Sequence, residues 1–106
     1  MKLTRALASV GLVAALAMSG GAGCARSQPP MVSATDAQRG NVELAELQQG
    51  RKLLLGKCTN CHSAPMPNAH TAAEWPQKLD EMAARASIDI GQQKLIEKYL
   101  VTMSTR

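Results

Sequence analysis

Phenylalanine is absent from this 106-residue chain, which holds one tryptophan, Trp75, and one tyrosine, Tyr99. Large rings dominate the energetics of most cores, so a domain built here has little aromatic bulk of its own. Alternating strand patterns and internal repeats are also absent, which excludes an all-β fold and a βαβ unit. The longest apolar run, Leu7 to Met18, is broken by Ser9 and Gly11 and is too short to span a bilayer comfortably. Charge of one sign is scarce as well. Twelve Lys and Arg oppose 8 Asp and Glu. Setting aside Lys2 and Arg5 at the N-terminus leaves 10 against 8, too small an excess for a nucleic-acid footprint.

The ends of that apolar run give it a meaning. Lys2 and Arg5 precede it, and Ser19, Gly20, Gly21, Ala22 and Gly23 follow it. A positive start, a short apolar stretch and small residues make a secretory signal peptide over residues 1–23. Cys24 comes next, and Gly21-Ala22-Gly23-Cys24 resembles a bacterial lipobox, although leucine usually stands where Gly21 does. Two readings follow. Cys24 is lipidated and becomes the mature N-terminus, giving membrane attachment, or cleavage falls nearby and leaves a spare thiol. Residues 24–41 then read as a polar tether carrying Pro29-Pro30 without sustained periodicity. Residues 42–106 remain as one domain of roughly 65 residues, near the size at which a core needs a metal, disulfide or cofactor.

Three helices are legible in that domain. The first runs from about Val42 to Lys57, with Val42, Leu44, Leu47, Leu54 and Leu55 on helical spacing and Asn41 as its expected N-cap. Gly50 lies inside it. An interior glycine costs about 1 kcal/mol relative to alanine and can mark the close approach of another backbone. The second helix is expected near Thr71, where Thr71-Ala72-Ala73-Glu74 fits a capping box, and continues through Trp75, Leu79 and Met82. The third runs from Ile90 or Gly91 to Met103 and presents Leu95, Ile96, Tyr99, Leu100 and Met103 as an apolar face.

The chemistry is concentrated in Cys58-Thr59-Asn60-Cys61-His62. C-x-x-C-H is the signature of covalent c-type haem attachment. Two thiols three apart can each add to one haem vinyl group, and the adjacent histidine can bind the iron. The expected cofactor is therefore one covalent haem c, held by Cys58 and Cys61 with His62 as the proximal ligand. Such a group would also supply the missing ring bulk. Export suits it, because this attachment belongs to the outer side of a bacterial membrane.

With these residues in view, the stretch from about Leu47 to Leu100 resembles the class I cytochromes c. That family places a glycine eight residues before the first haem cysteine, as Gly50 precedes Cys58, and offers an aromatic from its last helix, as Tyr99 does. Leu54 stands where an aromatic is often found. His62, Pro65, Thr71, Glu74, Trp75, Pro76, Met82, Tyr99 and Leu100 also resemble the pattern in small haem domains of cytochrome-dependent dehydrogenases. The resemblance implies an all-α bundle of three or more helices around a covalently bound haem. It implies a one-electron carrier rather than an enzyme, with redox proteins as partners, in the periplasm or on the outer face of a bacterial membrane. A haem subunit of a dehydrogenase complex, or a ligand-binding protein with an open sixth position, is the alternative. It also implies that a proline carbonyl after the motif, from Pro65 or Pro67, accepts from the second nitrogen of His62.

The sixth ligand stays open in the sequence. Met82, twenty residues past His62, is the leading candidate, although class I proteins place this methionine in a loop nearer the last helix. His70 is the alternative and would give a bis-histidine site. Met66 is too near His62, and Met103 belongs to a core face. Trp75 reads as packing core, with its indole N–H able to reach a propionate. Lys52, Lys57 and Lys78 read as a docking rim or as solvated helix surface. A thiol redox pair lacks its βαβ frame, and a zinc site lacks well-spaced ligands.

Overall fold

In a computed structural model the described residues are 28–60 and 63–105. They form four α-helices, with no strand among them: α1 (Ala34–Gly40), α2 (Leu44–Lys57), α3 (Trp75–Ala86) and α4 (Ile90–Ser104). None of these helices is long and apolar enough to cross a membrane. The all-α expectation is met in the described residues. The signal peptide over 1–23 and the lipobox at Cys24 lie outside them.

Helix α4 is the hub, and every other helix packs on it. Its start is set by Asp89, whose side chain accepts from Gln92 N at 2.8 Å while Gln92 Oε1 accepts from Asp89 N at 3.1 Å. This reciprocal cap satisfies two donors that the first turn would otherwise orphan. Ile96, Tyr99, Leu100 and Met103 are buried along α4 at three- and four-residue steps.

Against α4 lies α2, with Leu47, Gly50 and Leu54 buried on one stripe. A Cβ at Gly50 would collide with the Leu95 carbonyl and come within 3.0 Å of Tyr99 Cβ. Glycine is therefore required by the approach of the α4 backbone, as the interior position suggested. Leu54, Trp75, Leu79, Ile96, Tyr99, Leu100 and Met103 join Cys58 in a single buried cluster, with Met82 and Ile88 packed at its margin.

Two boundaries differ from the sequence reading. Asn41 does not begin α2; it ends α1. It adopts the left-handed conformation at φ 50°, with its N–H directed to Ala37 and Gln38 carbonyls. Val42 N donates to Ala37 O at 3.0 Å, completing a Schellman closure. Asparagine tolerates this conformation better than other side-chain-bearing residues. Glu43 takes the N-cap position of α2 without a side-chain cap bond. At α3, the Thr71–Glu74 segment forms a turn ahead of the helix, which starts at Trp75 with Pro76 in its first turn. Glu74 Oε2 accepts from Thr71 N at 2.8 Å, so half of the expected box is made, one turn early.

A larger correction concerns the tether. Residues 29–41 are packed onto the domain. Pro29 is fully buried. Arg51 Nε on α2 donates to Pro29 O at 3.0 Å and Pro30 O at 3.2 Å, and Tyr99 Oη on α4 donates to Pro30 O at 2.6 Å. Helix α1 follows, capped by Ser33 and Asp36. Buried Asp36 accepts from Arg39 Nη1 at 3.1 Å, and Arg39 Nη2 reaches Thr102 O on α4 at 3.1 Å. Prolines and polar residues hid this segment because its contacts are backbone carbonyls and a buried charge, not an apolar stripe. The Ser33-x-x-Asp36 spacing was the available signal, but no apolar run follows it.

Gly50→Ala is expected to lower stability by about 1–3 kcal/mol through overpacking, although alanine is the better helix former by roughly 1 kcal/mol. Urea unfolding measures this, and an unchanged midpoint would refute the close approach. A chain trimmed to begin at Val42 should unfold at a lower urea midpoint, with a smaller m-value, than one beginning at Gln28, because it loses packed surface. Identical curves would restore residues 28–41 to a free tether.

Candidate functional site

The site grows from the C-terminal end of α2. Cys58 is the C-cap of that helix, and the chain continues as a 3-10 turn over Cys58–Asn60. Thr59 Oγ1 donates to Leu55 O at 2.6 Å, occupying one of the last carbonyls of α2. Cys58 is buried, at 8% exposure, among Leu54, Trp75, Leu79 and the α4 side chains. Burial pushes its thiol above the usual cysteine value. A nucleophilic cysteine of a thiol redox enzyme needs the opposite shift, in an electropositive and partly exposed setting. Cys61 and His62 lie outside the described residues. Among the described residues no three His, Cys, Asp or Glu side chains gather as a metal site.

Met82 is half-buried on α3 and packs against the same cluster that holds Cys58. Trp75, Leu79 and Met82 share one helical face by their spacing. Helices α2 and α3 both rest on α4 and have little direct contact with each other. These elements surround Cys58 with apolar side chains. One thiol lies in an apolar core at the end of α2, a thioether borders that core from α3, and α4 backs both. Met103 is buried in the core, as expected of a packing residue. Met66 is half-buried and shares the lining of a cavity of about 190 Å³ with Pro30, Pro67, Asn68 and Met103.

His70 stands apart from Met82 in its surroundings. Its ring meets Trp75 edge-on at 4.8 Å, and its Nδ1 lies 3.9 Å from Glu74 Oε2. The Glu74 carboxylate is held below the ordinary value by the backbone N–H of Thr71 first, then by the Thr71 side chain, with His70 and Lys78 adding smaller attractions. The Trp75 indole, which could have reached a propionate, donates instead to Pro67 O at 2.8 Å in a buried bond. One of the two proline carbonyls offered for His62 thus has a donor among the described residues. Of the three lysines, Lys78 pairs with Glu81 at 3.6 Å, Lys57 is half-buried and Lys52 is exposed. The bond from Trp75 to Pro67 carried no sequence signal, because its acceptor is a backbone atom whose position depends on the fold.

No family model, curated protein or solved structure matches this chain.

A lowered folded-state pKa at Glu74 stabilises the Thr71–Glu74 turn above the ordinary glutamate value and ceases to do so as pH falls through the folded value. The thermal-midpoint gap between the native chain and Glu74→Gln should therefore be present at neutral pH and narrow below about pH 4.3. The carboxylate is exposed, so the gap is small. A gap that widened in acid would contradict the bond to Thr71.

Proposed function

We propose that this protein is an exported monohaem c-type cytochrome that carries single electrons between redox partners and performs no bond chemistry on a substrate. The observation that carries the reading is the C-x-x-C-H run emerging from a helix whose Gly50 is crossed by the last helix beside Tyr99. The apolar burial of Cys58 supports it over a thiol redox pair, whose nucleophile needs a partly exposed, electropositive setting. The scarcity of rings in a domain this small adds support.

Bound at this position, haem supplies a ferric/ferrous couple that accepts and returns one electron. The chain's part is attachment, orientation and exclusion of water. Cys58 and Cys61 would hold the group, each through one thioether. His62 would supply a nitrogen ligand and Met82 a soft thioether, which would favour the reduced state and raise the potential; His70 would be the competing ligand. Leu54, Leu79 and Ile96 keep the surroundings apolar, which sets the dielectric about the couple. Lys52 and Lys57 offer weak positive charge for steering an acidic partner. If Cys24 is lipidated, Ala25 to Gln28 alone separate it from buried Pro29, so the domain would ride close to the membrane's outer face.

Expression with haem-ligation machinery should yield a mature chain heavier than its amino acids by one haem, with a pyridine haemochrome spectrum of the c type. Cys58→Ala should remove one thioether and shift that spectrum. Met82→Ala should leave haem attached and abolish the thioether signature in near-infrared magnetic circular dichroism. A colourless chain of polypeptide mass rejects the cytochrome reading, whereas an unchanged Met82→Ala spectrum rejects only that ligand.

A further inference from the structure

The turn that follows the haem motif is clamped from α3, and we infer that Trp75 is a positioning residue for that site, acting through the Pro67 carbonyl. This rests on the cytochrome reading and adds to it a residue that fixes the segment following the haem motif.

The argument starts from the shortness of the connection. Only Ser63, Ala64 and Pro65 separate His62 from Met66. Met66 opens a 3-10 turn over Pro67–Ala69, closed by Ala69 N donating to Met66 O at 3.0 Å. Its backbone needs an anchor, since one turn of 3-10 helix has poor hydrogen-bond geometry and little stability of its own. Trp75 provides it. The side chain is fully buried, and its one polar atom is spent on Pro67 O. Pro67 is itself buried, so that carbonyl, if left alone, would be an orphaned acceptor. The His70 ring packs edge-on against Trp75 at the far end of the turn. Both ends of the turn are thus held by one side chain.

Trp75 is also the first residue of the helix that carries Met82. With Leu79 between them, the two lie one above the other on the face toward α4. The clamp on the segment after His62 and the candidate thioether therefore belong to one rigid element. A shift of α3 would move both together, so the segment after His62 and the Met82 thioether would stay in register. A residue serving packing alone would be equally served by phenylalanine; the indole N–H is what ties α3 to the turn.

The test separates hydrogen bond from bulk. Trp75→Phe removes the donor and keeps a ring, and Leu47→Ala removes core volume elsewhere between α2 and α4 while sparing the bond. In the holoprotein, Trp75→Phe should speed hydrogen exchange of the Ala69 amide about tenfold and move the midpoint potential. Leu47→Ala should speed exchange along α2 and α4 while leaving the Ala69 amide and the potential near their native values. If Trp75→Phe does not fold, replacing the indole of Trp75 by benzothiophene keeps the shape, deletes the N–H and should give the same two changes. An unchanged Ala69 amide overturns the clamp. A faster amide with an unmoved potential overturns the positioning role. A native chain that carries no haem overturns the cytochrome reading itself, an outcome visible by mass before any variant is made.

Discussion

The approach of α2 to α4 at Gly50 is the constraint on which the remaining packing rests. With no Cβ at that position, the α4 backbone at Leu95 and the root of Tyr99 can settle directly on α2. Dispersion contacts are individually small and fall off steeply with distance, so this closeness lets a core with few rings still exclude water. It also lays α2 along α4, with Leu54 and the C-cap Cys58 further along in the buried cluster. The phenol of Tyr99 then reaches past the crossing to Pro30 O, and Arg51, next to Gly50, holds Pro29 and Pro30. The N-terminal strap is in this sense a consequence of the crossing. It passes over the point where two helices are nearest and where a donor from each projects.

Polar groups finish what the apolar cluster begins. Every buried side-chain nitrogen or oxygen among the described residues has a partner. Asp36, almost fully buried, is held by Ser33 and Arg39, and Arg39 extends to the end of α4. An unpaired carboxylate there would be strongly destabilising. Gln93 on α4 is bonded to Asp80 on α3, which fixes the third helix against the hub. The surface pair Lys98–Glu46, by contrast, lies at the solvated edge of the α2–α4 contact and contributes little.

The helices and their hub were legible because their signals are local. Leu47 and Leu54, or Ile96, Tyr99, Leu100 and Met103, repeat at helical spacing, and burial follows the repeat. Gly50 was legible too, since a glycine inside good helix formers asks for an explanation. The strap and α1 were not. Pro29 and Pro30 read as breakers because a proline ring ends regular structure, yet their carbonyls remain acceptors for any donor the fold delivers. Asn41 read as a start because asparagine caps helices well, but its tolerance of the left-handed conformation suits a helix end equally. At the candidate site, the cysteine–histidine run stood out from its spacing, while the surroundings of Cys58 needed three helices from distant parts of the chain.

By itself the sequence determined the all-helical character of the described residues, the positions of the three longer helices, the glycine at the crossing and the spacing of the cysteine–histidine run. Those follow from periodicity, backbone freedom and side-chain type, which are properties of neighbours in the chain. Tertiary structure alone decided that the proline segment is part of the folded body, that the Trp75 indole serves the Pro67 carbonyl, and that Met82 and Cys58 border the same core. Each depends on a hydrogen bond or contact between residues whose separation in space is set by helix packing, which no local pattern of residues encodes.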